Sequence, residues 1–376
     1  QFNWPELERV PDILADLAKV QMHAIQTSGS CIRSVTSDHF AGVVAGEIED
    51  PRPWSEIIRQ WAALHPEFAY LPRKFKIAVT GCEQDRAAVQ VHDIGVRLTR
   101  NAAGDTGFEI LVGGGLGRTP MIGKSIREFL PQQDLLSYLE AILRVYNLLG
   151  RRDNKYKARI KILVDAMGAD AFRDKVEAEW LQIKDSDLRL TQAEIDRVKG
   201  YFQPPAYAAD AAADTSYAEK LASERDFAVW IERNSFDHKV PGHRAVTLTV
   251  KGLLKAPGDV TDVQMAAIAD LADRYNFGEI RSTHEQNLVF AHVKQADLYP
   301  LWQQLVELDL ARPVVGTIQD MIVCPGLDFC SLANAETLSV ARQINEKFDD
   351  LDYLYELGEI KLKMSGCINA CAHHHV

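Results

Sequence analysis

CPGLDFC at Cys324–Cys330 and SGCINAC at Ser365–Cys371 hold four of the six cysteines of this 376-residue chain. The spacing is C-x5-C, then 36 intervening residues, then C-x3-C. Six cysteines are too few for a disulfide framework in a chain of this size, and four gathered near one end point to metal or redox chemistry. Iron–sulfur cubanes are held by four thiolates, and close pairs on short loops joined by a longer segment are a normal way to wrap one. Structural zinc competes, although zinc sites favour C-x2-4-C and a five-residue insert is wide for that geometry. Four unrelated buried thiols are the third possibility, which requires two close pairs to arise by chance.

The rest of the composition is that of a folded protein, at 47% hydrophobic and 25% charged residues. No apolar run approaches the length of a membrane span, and the opening QFNWPELERV lacks the basic start and apolar stretch of a signal peptide. A cytoplasmic protein is expected. A net charge of −11 argues against nucleic acid as a general partner, so local clusters of cations carry more information than the total. Phe2 and Trp4 alternate with polar neighbours as if inside a strand, and Val376 follows Cys371 by five positions. Both ends therefore read as cut from a longer chain.

An amphipathic helix is expected over residues 5–22, with Val10, Ile13, Leu14, Leu17, Val20 and Met22 on its apolar stripe. Placing Phe2 against Phe290 without gaps puts Val10 opposite Leu298, Ile13 opposite Leu301 and Leu17 opposite Leu305, which indicates an internal duplication. Strands are expected at Phe75–Gly81, Val89–Leu98, Phe108–Gly114, His243–Leu254 and Asn287–Val293. Helices are expected over 123–148, 155–182 and 262–275, and the Pro- and Ala-rich stretch FQPPAYAADAAADT (Phe202–Thr215) reads as a linker.

Several blocks then add up to a resemblance. CPGLDFC with SGCINAC, LPRKFK (Leu71–Lys76), LVGGGLG (Leu111–Gly117), KARIK (Lys157–Lys161) and EQNLV (Glu285–Val289) resemble, in order, segments of the sirohaem-dependent sulfite and nitrite reductases. The likeness spans essentially the whole chain and is strongest toward bacterial assimilatory sulfite reductase haemoprotein subunits. It implies an α+β (α/β) architecture with pseudo-twofold duplication, each half joining a ferredoxin-like half-domain to a sirohaem-binding α/β domain. The limits implied are 1–25 for the end of the first half-domain, 26–200 for the first sirohaem repeat and 201–225 for a linker. Residues 226–312 then form the second half-domain, and 313–376 the start of the second sirohaem and 4Fe-4S domain.

By the same resemblance Cys324, Cys330, Cys367 and Cys371 hold a 4Fe-4S cluster, and Cys371 also bridges it to the sirohaem iron. Arg33 in CIRSV, Arg73, Arg159 and Lys161 form the catalytic cation group that binds a small oxyanion, because permanent cations neutralise the anion and the charge that develops as its bonds to oxygen break. Arg159 and Lys161, two apart, share one face if the segment is extended. Lys161 is the expected proton donor, since neighbouring positive charge lowers a lysine pKa. Lys74, Lys76, Arg281, Gln286 and Asn287 are expected against the carboxylates of the macrocycle, and Gly113, Gly114 and Gly115 allow its close approach. Ala372 stands where many relatives have glycine.

The activity implied is the six-electron reduction of sulfite to sulfide, with nitrite reduction to ammonia as the alternative. No flavin or nicotinamide motif is present, so a ferredoxin or flavoprotein is the expected electron donor. A cluster enzyme without haem and a zinc-stabilised binding module are the competing classes. His373, His374 and His375 cannot all face one ion, Cys31 reads as a structural thiol, and Cys82 has no evident partner.

Overall fold

The first apolar strands assemble into a five-stranded sheet in the computed structural model, which describes residues 5–207 and 215–376. A short 3-10 turn, Leu7–Arg9, leads into α1 (Val10–Lys19), followed by β1 (Ile32–Ser37), α2 (Arg52–Ala62), β2 (Phe75–Thr80), β3 (Ile94–Arg100), β4 (Thr106–Val112) and β5 (Lys124–Pro131). The sheet runs β1-β2-β3-β4-β5, parallel from β1 to β3 and antiparallel from there to β5. Parallel neighbours need a crossover, and α2 supplies it between β1 and β2 by burying Trp54, Ile57 and Ile58. β2 is a run of buried Phe75, Ile77, Ala78 and Val79, the pattern of a strand covered on both faces. α3 (Leu135–Leu149) is buried nearly all round, and α4 (Ile160–Met167), α5 (Ala169–Ile183) and α6 (Gln192–Lys199) complete this core.

Several expected elements have different limits, among them the strand expected over His243–Leu254, which ends at Leu248. Residues 123–148 are not one helix: Lys124–Pro131 is β5, where Ile126 and Leu130 alternate inward, and the helix begins only at Leu135. The strand expected from Val89 begins as a 3-10 turn over Val89–Val91, with Ala88 at φ +53°, and extended pairing starts at Ile94. The helix expected over 155–182 is divided at Gly168, whose φ of +86° no helix interior permits.

The second unit comprises α7 (Ser216–Ser223), α8 (Arg225–Asn234), β6 (Ser235–Asp237), β7 (His243–Leu248), α9 (Asp262–Tyr275), β8 (Arg281–Ser282), β9 (Leu288–Lys294) and α10 (Leu298–Glu307). Its antiparallel sheet has the order β6-β7-β9-β8. The expected linker of 201–225 is therefore too long, because Tyr217 and Leu221 of α7 pack on the second core. Residues 208–214 of that stretch lie outside the described residues, as does the strand expected around Phe2 and Trp4.

The duplication is visible in the elements. The register that sets Val10 against Leu298 carries α1 onto α10 from first residue to last, and the 3-10 turn Leu7–Arg9 onto the turn Gln295–Asp297. In α10, Leu298, Leu301 and Leu305 are buried, whereas no residue of α1 is. Beyond α10 come β10 (Ile322–Val323), α11 (Leu338–Lys347), α12 (Leu351–Leu357) and β11 (Lys363–Met364), and β10 pairs with β11 in parallel. This parallel strand pair with a helical crossover repeats the plan of β1–α2–β2, with two helices in place of one. The fold is α+β with two copies of one plan.

Candidate functional site

Both copies of the parallel strand pair carry the chemistry. In the second copy, β10 runs straight into Cys324, and β11 leads through Ser365 and Gly366 to Cys367. The backbone N–H of Cys324 donates to Met364 O at 3.0 Å, so the ladder that joins the strands also fixes one cysteine pair against the other. Gly366 N–H donates to Cys324 Sγ at 3.0 Å, and Asn334 N–H donates to Gly366 O at 2.8 Å, which interlocks the two loops. Gly326 adopts φ +58°, and a Cβ there would lie 2.5 Å from Thr337 Oγ1, so only glycine fits this turn.

All four cysteines of this region are free thiols. The Cys371 thiol is pushed up, first by burial and then by Cys324 and Cys367, with Cys330 adding and Lys74 opposing. Four thiols, three of them acting on Cys371, are a soft donor set suited to iron–sulfur ligation. Among the described residues no three His, Cys, Asp or Glu side chains converge on the position of one ion. A cubane makes a different demand, since it spreads its thiolates over four separate irons. Ala372 is 1% exposed, so its methyl group is accommodated within the packed loop.

The first copy supplies cations. Arg33 occupies a register irregularity of β1 between Ile32, opposite Phe75, and Ser34, opposite Lys76, and such bulges re-aim a side chain. Arg73, Lys74 and Lys76 lie at the entry to β2. Lys74 is pushed below the ordinary lysine value by burial, then by Arg159, Lys76, Arg33 and Arg73. Four cations thus lie near enough to act on Lys74, which in turn acts on Cys371. Only Arg159 of the five has a carboxylate partner among the described residues, the other contact being Arg33 Nε to Gly29 O at 2.8 Å. Cations left without carboxylates in a chain of net charge −11 make a local positive potential that favours anions.

Asp93, just before β3, holds this wall together and was not legible in the sequence. Its carboxylate is fully buried, accepts from Arg159 Nε at 2.8 Å and lies 2.7 Å from the terminal Arg159 nitrogen. Its other oxygen accepts from the Lys76 backbone N–H at 2.9 Å, and its carbonyl accepts from Gly113 N–H at 3.1 Å. Three blocks, LPRKFK, LVGGGLG and KARIK, thus meet at one residue. The only signal was a lone acid between apolar positions in VQVHDIGV.

KARIK is not an extended segment, contrary to expectation. Arg159 caps α4 and Lys161 lies in its first turn, and the two still converge, because a Cβ on Gly115 would meet Lys161 Cδ at 3.0 Å and an Arg159 guanidinium nitrogen at 3.4 Å. Lys161 Nζ donates to Leu116 O at 2.7 Å and Thr119 O at 2.5 Å. Burial first, then Arg159, lowers its pKa. Gly113 has φ +82°, and a Cβ on Gly114 would lie 2.4 Å from Gln90 O, so these glycines serve the packing of the chain on itself. Gly117 brings this loop against the cysteine loop, with Ile368 O 3.7 Å from a Cβ built there.

The remaining expected contacts are engaged by the protein. Arg281 pairs with Glu279 and donates to His39 O and Ala41 O at 3.1 and 2.7 Å. Asn287 is buried, with Nδ2 on Asp320 and Oδ1 on Val250 N–H. Gln286 binds both backbone groups of Val323. Of the histidine run, His373 faces inward, its ring 5.8 Å from that of His284, and both line a cavity of about 320 Å³ with Asn287, Asp320, Lys361 and Lys363. Cys31 Sγ donates to Ser28 O at 3.3 Å. Cys82 does have a partner, Arg86, which is paired with buried Asp38.

The structure brings together two interlocked loops carrying four free cysteines and a set of cations of which only Arg159 has a carboxylate partner among the described residues. The family described as the nitrite and sulphite reductase 4Fe-4S domain matches residues 28–184, and the nitrite/sulfite reductase ferredoxin-like half domain matches 237–308. The four clustered cysteines lie outside both stretches. The assimilatory ferredoxin-dependent nitrite reductase of Haloferax mediterranei is 28% identical over 99% of this chain, and a ferredoxin sulfite reductase of Mycolicibacterium paratuberculosis is 26% identical over 99%. The structure of the Mycobacterium tuberculosis NirA protein superposes with a TM-score of 0.77 at 27% identity, covering 98% of this chain and 61% of that one. The chain belongs to the sulfite and nitrite reductase family. It spans about 60% of the length of these relatives.

Proposed function

We propose that the protein to which this chain belongs reduces sulfite to sulfide on a sirohaem coupled to a 4Fe-4S cluster, with nitrite reduction to ammonia as the alternative at the same site. The observation that carries this reading is the set of cations Arg33, Arg73, Lys74, Lys76 and Arg159, unneutralised except at Arg159, with Lys161 converging on Arg159 at Gly115 and Lys74 acting on Cys371. Both names occur among the relatives, and the cations serve either anion. Cys324, Cys330, Cys367 and Cys371 would hold the cluster, with Cys371 shared with the haem. When bound, the two groups supply electrons one after another to the substrate. The chain's own part is to attract the anion, to hold Arg159 in place through Asp93, and to keep at Lys161 Nζ a proton that burial and Arg159 make easier to release, as burial and four neighbouring cations do at Lys74.

In this reading residues 26–200 form the first haem-cradling repeat, 226–312 the second half-domain and 313–376 the start of the second repeat. A ferredoxin or flavoprotein brings the electrons, in the cytoplasm, where thiols stay reduced. Among the described residues no helix is long and apolar enough to cross a membrane. The test is absorption of the full-length protein followed by steady-state turnover of sulfite and nitrite with a reduced dye. A Soret band with a second band in the red, and a larger kcat/KM for sulfite, are expected. Brown absorbance without a Soret band supports a bare cluster, and a colourless protein with bound zinc overturns the proposal.

A further inference from the structure

The approach to Cys324 is fastened from the second half-domain. β10 is only two residues long, Ile322 and Val323, and one of its edges is taken by β11. A two-residue ladder has little stability of its own. On Val323 the place of a third strand is taken by a side chain. The carboxamide of Gln286 accepts from Val323 N–H through Oε1 at 2.8 Å and donates through Nε2 to Val323 O at 2.9 Å. It therefore satisfies both polar groups of the residue that precedes Cys324, as a neighbouring peptide would.

Gln286 reaches this position because its backbone is in the left-handed region, at φ +59°. Gly258 lets it pass, since a Cβ there would lie 3.1 Å from Gln286 Cβ. Lys251, 2% exposed, locks the arrangement from below. Its ammonium donates to Glu285 O at 2.6 Å and to Met321 O at 2.8 Å, so the turn before Gln286 and the residue before β10 share one cation. The clamp has a donor and an acceptor in register, and a side chain bearing one of them alone cannot reproduce it.

We propose that Gln286 is a positioning residue for the metal-sulfur centre, setting Cys324 through Val323 rather than touching the macrocycle. This inference rests on the reading of Cys324 as a cluster ligand. Residues that orient ligands from outside commonly change metal affinity by about 10- to 100-fold when removed. Gln286→Leu loses both bonds, whereas Gln286→Glu keeps the acceptor for Val323 N–H and loses the donor.

The experiment uses the full-length protein loaded with both groups, and follows iron release to a chelator, the midpoint potential of the cluster and the Soret band. Q286L is expected to release iron about tenfold faster with a shifted potential, Q286E to lie between it and the wild type, and the Soret band per protein to be unchanged before chelation. If Q286L does not fold, the release rate of Q286E decides alone. Wild-type release and potential in the variants overturn the inference, as does loss of the Soret band with the cluster untouched. A C324S protein that keeps its four-iron signal overturns instead the cluster reading on which the inference stands.

Discussion

The guanidinium of Arg159 is held by Asp93, a fully buried carboxylate 2.7 Å away that also accepts the backbone N–H of Lys76. One acid thus orients the Arg159 guanidinium and fixes the segment that carries three other cations. Removing one partner of a buried pair leaves the other uncompensated. D93A is expected to lose about 3 kcal/mol or more of stability, and D93A combined with R159M less than the sum of the single changes. Denaturant unfolding of the four proteins measures this, and strict additivity would show that the pair does not act as one.

Arg73 has no carboxylate partner among the described residues and lies in the group around Lys74. R73A therefore removes charge from the anion site without orphaning an acid. A fall in kcat/KM on the order of a hundredfold is expected for both sulfite and nitrite, with unfolding unchanged. Equal turnover by the variant would place Arg73 outside the site.

The Glu47 side chain is 3% exposed, accepts a shared hydrogen bond from Gly42 N–H, and desolvation pushes its carboxyl from 4.5 up to about 7. The folded protein keeps this proton where the unfolded chain has lost it. The contribution of Glu47 to stability is full below about 4.5 and is lost as pH rises through about 7. E47Q retains an acceptor and never ionises. It is expected to match the wild type near pH 4.5 and to exceed it above pH 7 by up to about 3 kcal/mol, read from unfolding curves across that range. A difference independent of pH would refute the assignment.

Stripping iron from the full-length protein should loosen the two cysteine loops and little else, because they are joined by Gly366 N–H to Cys324 Sγ and Asn334 N–H to Gly366 O. Faster amide exchange at Gly366, Asn334 and Cys324, with β2 and β3 unchanged, is expected. Uniform acceleration across the chain would mean that the centre holds the whole fold.

Much of this was legible in the sequence where one pattern dominated. The long apolar strands and the i, i+3, i+7 stripe shared by Val10–Lys19 and Leu298–Glu307 announced themselves, and so did the cysteine pairs. β5 was hidden because its alternation, Ile126 and Leu130, runs directly into the strongly helical Leu135–Leu149. KARIK was misread as extended because a helix cap and a strand look alike over three residues. Asp93 and the clamp by Gln286 were invisible for a deeper reason. Each acts on residues distant in the chain, and only the folded backbone says which carbonyl or N–H a buried polar side chain will find.

The repeated strand–helix–strand plan also separates two kinds of evolutionary freedom. The copy that ends in β2 gathers positive charge, and the copy that ends in β11 gathers sulfur. On the proposed function, a mutation that retunes which anion is preferred would fall on one copy, and a mutation that retunes electron supply on the other. Descendants of such a chain could then change diet without rewiring, and rewire without changing diet.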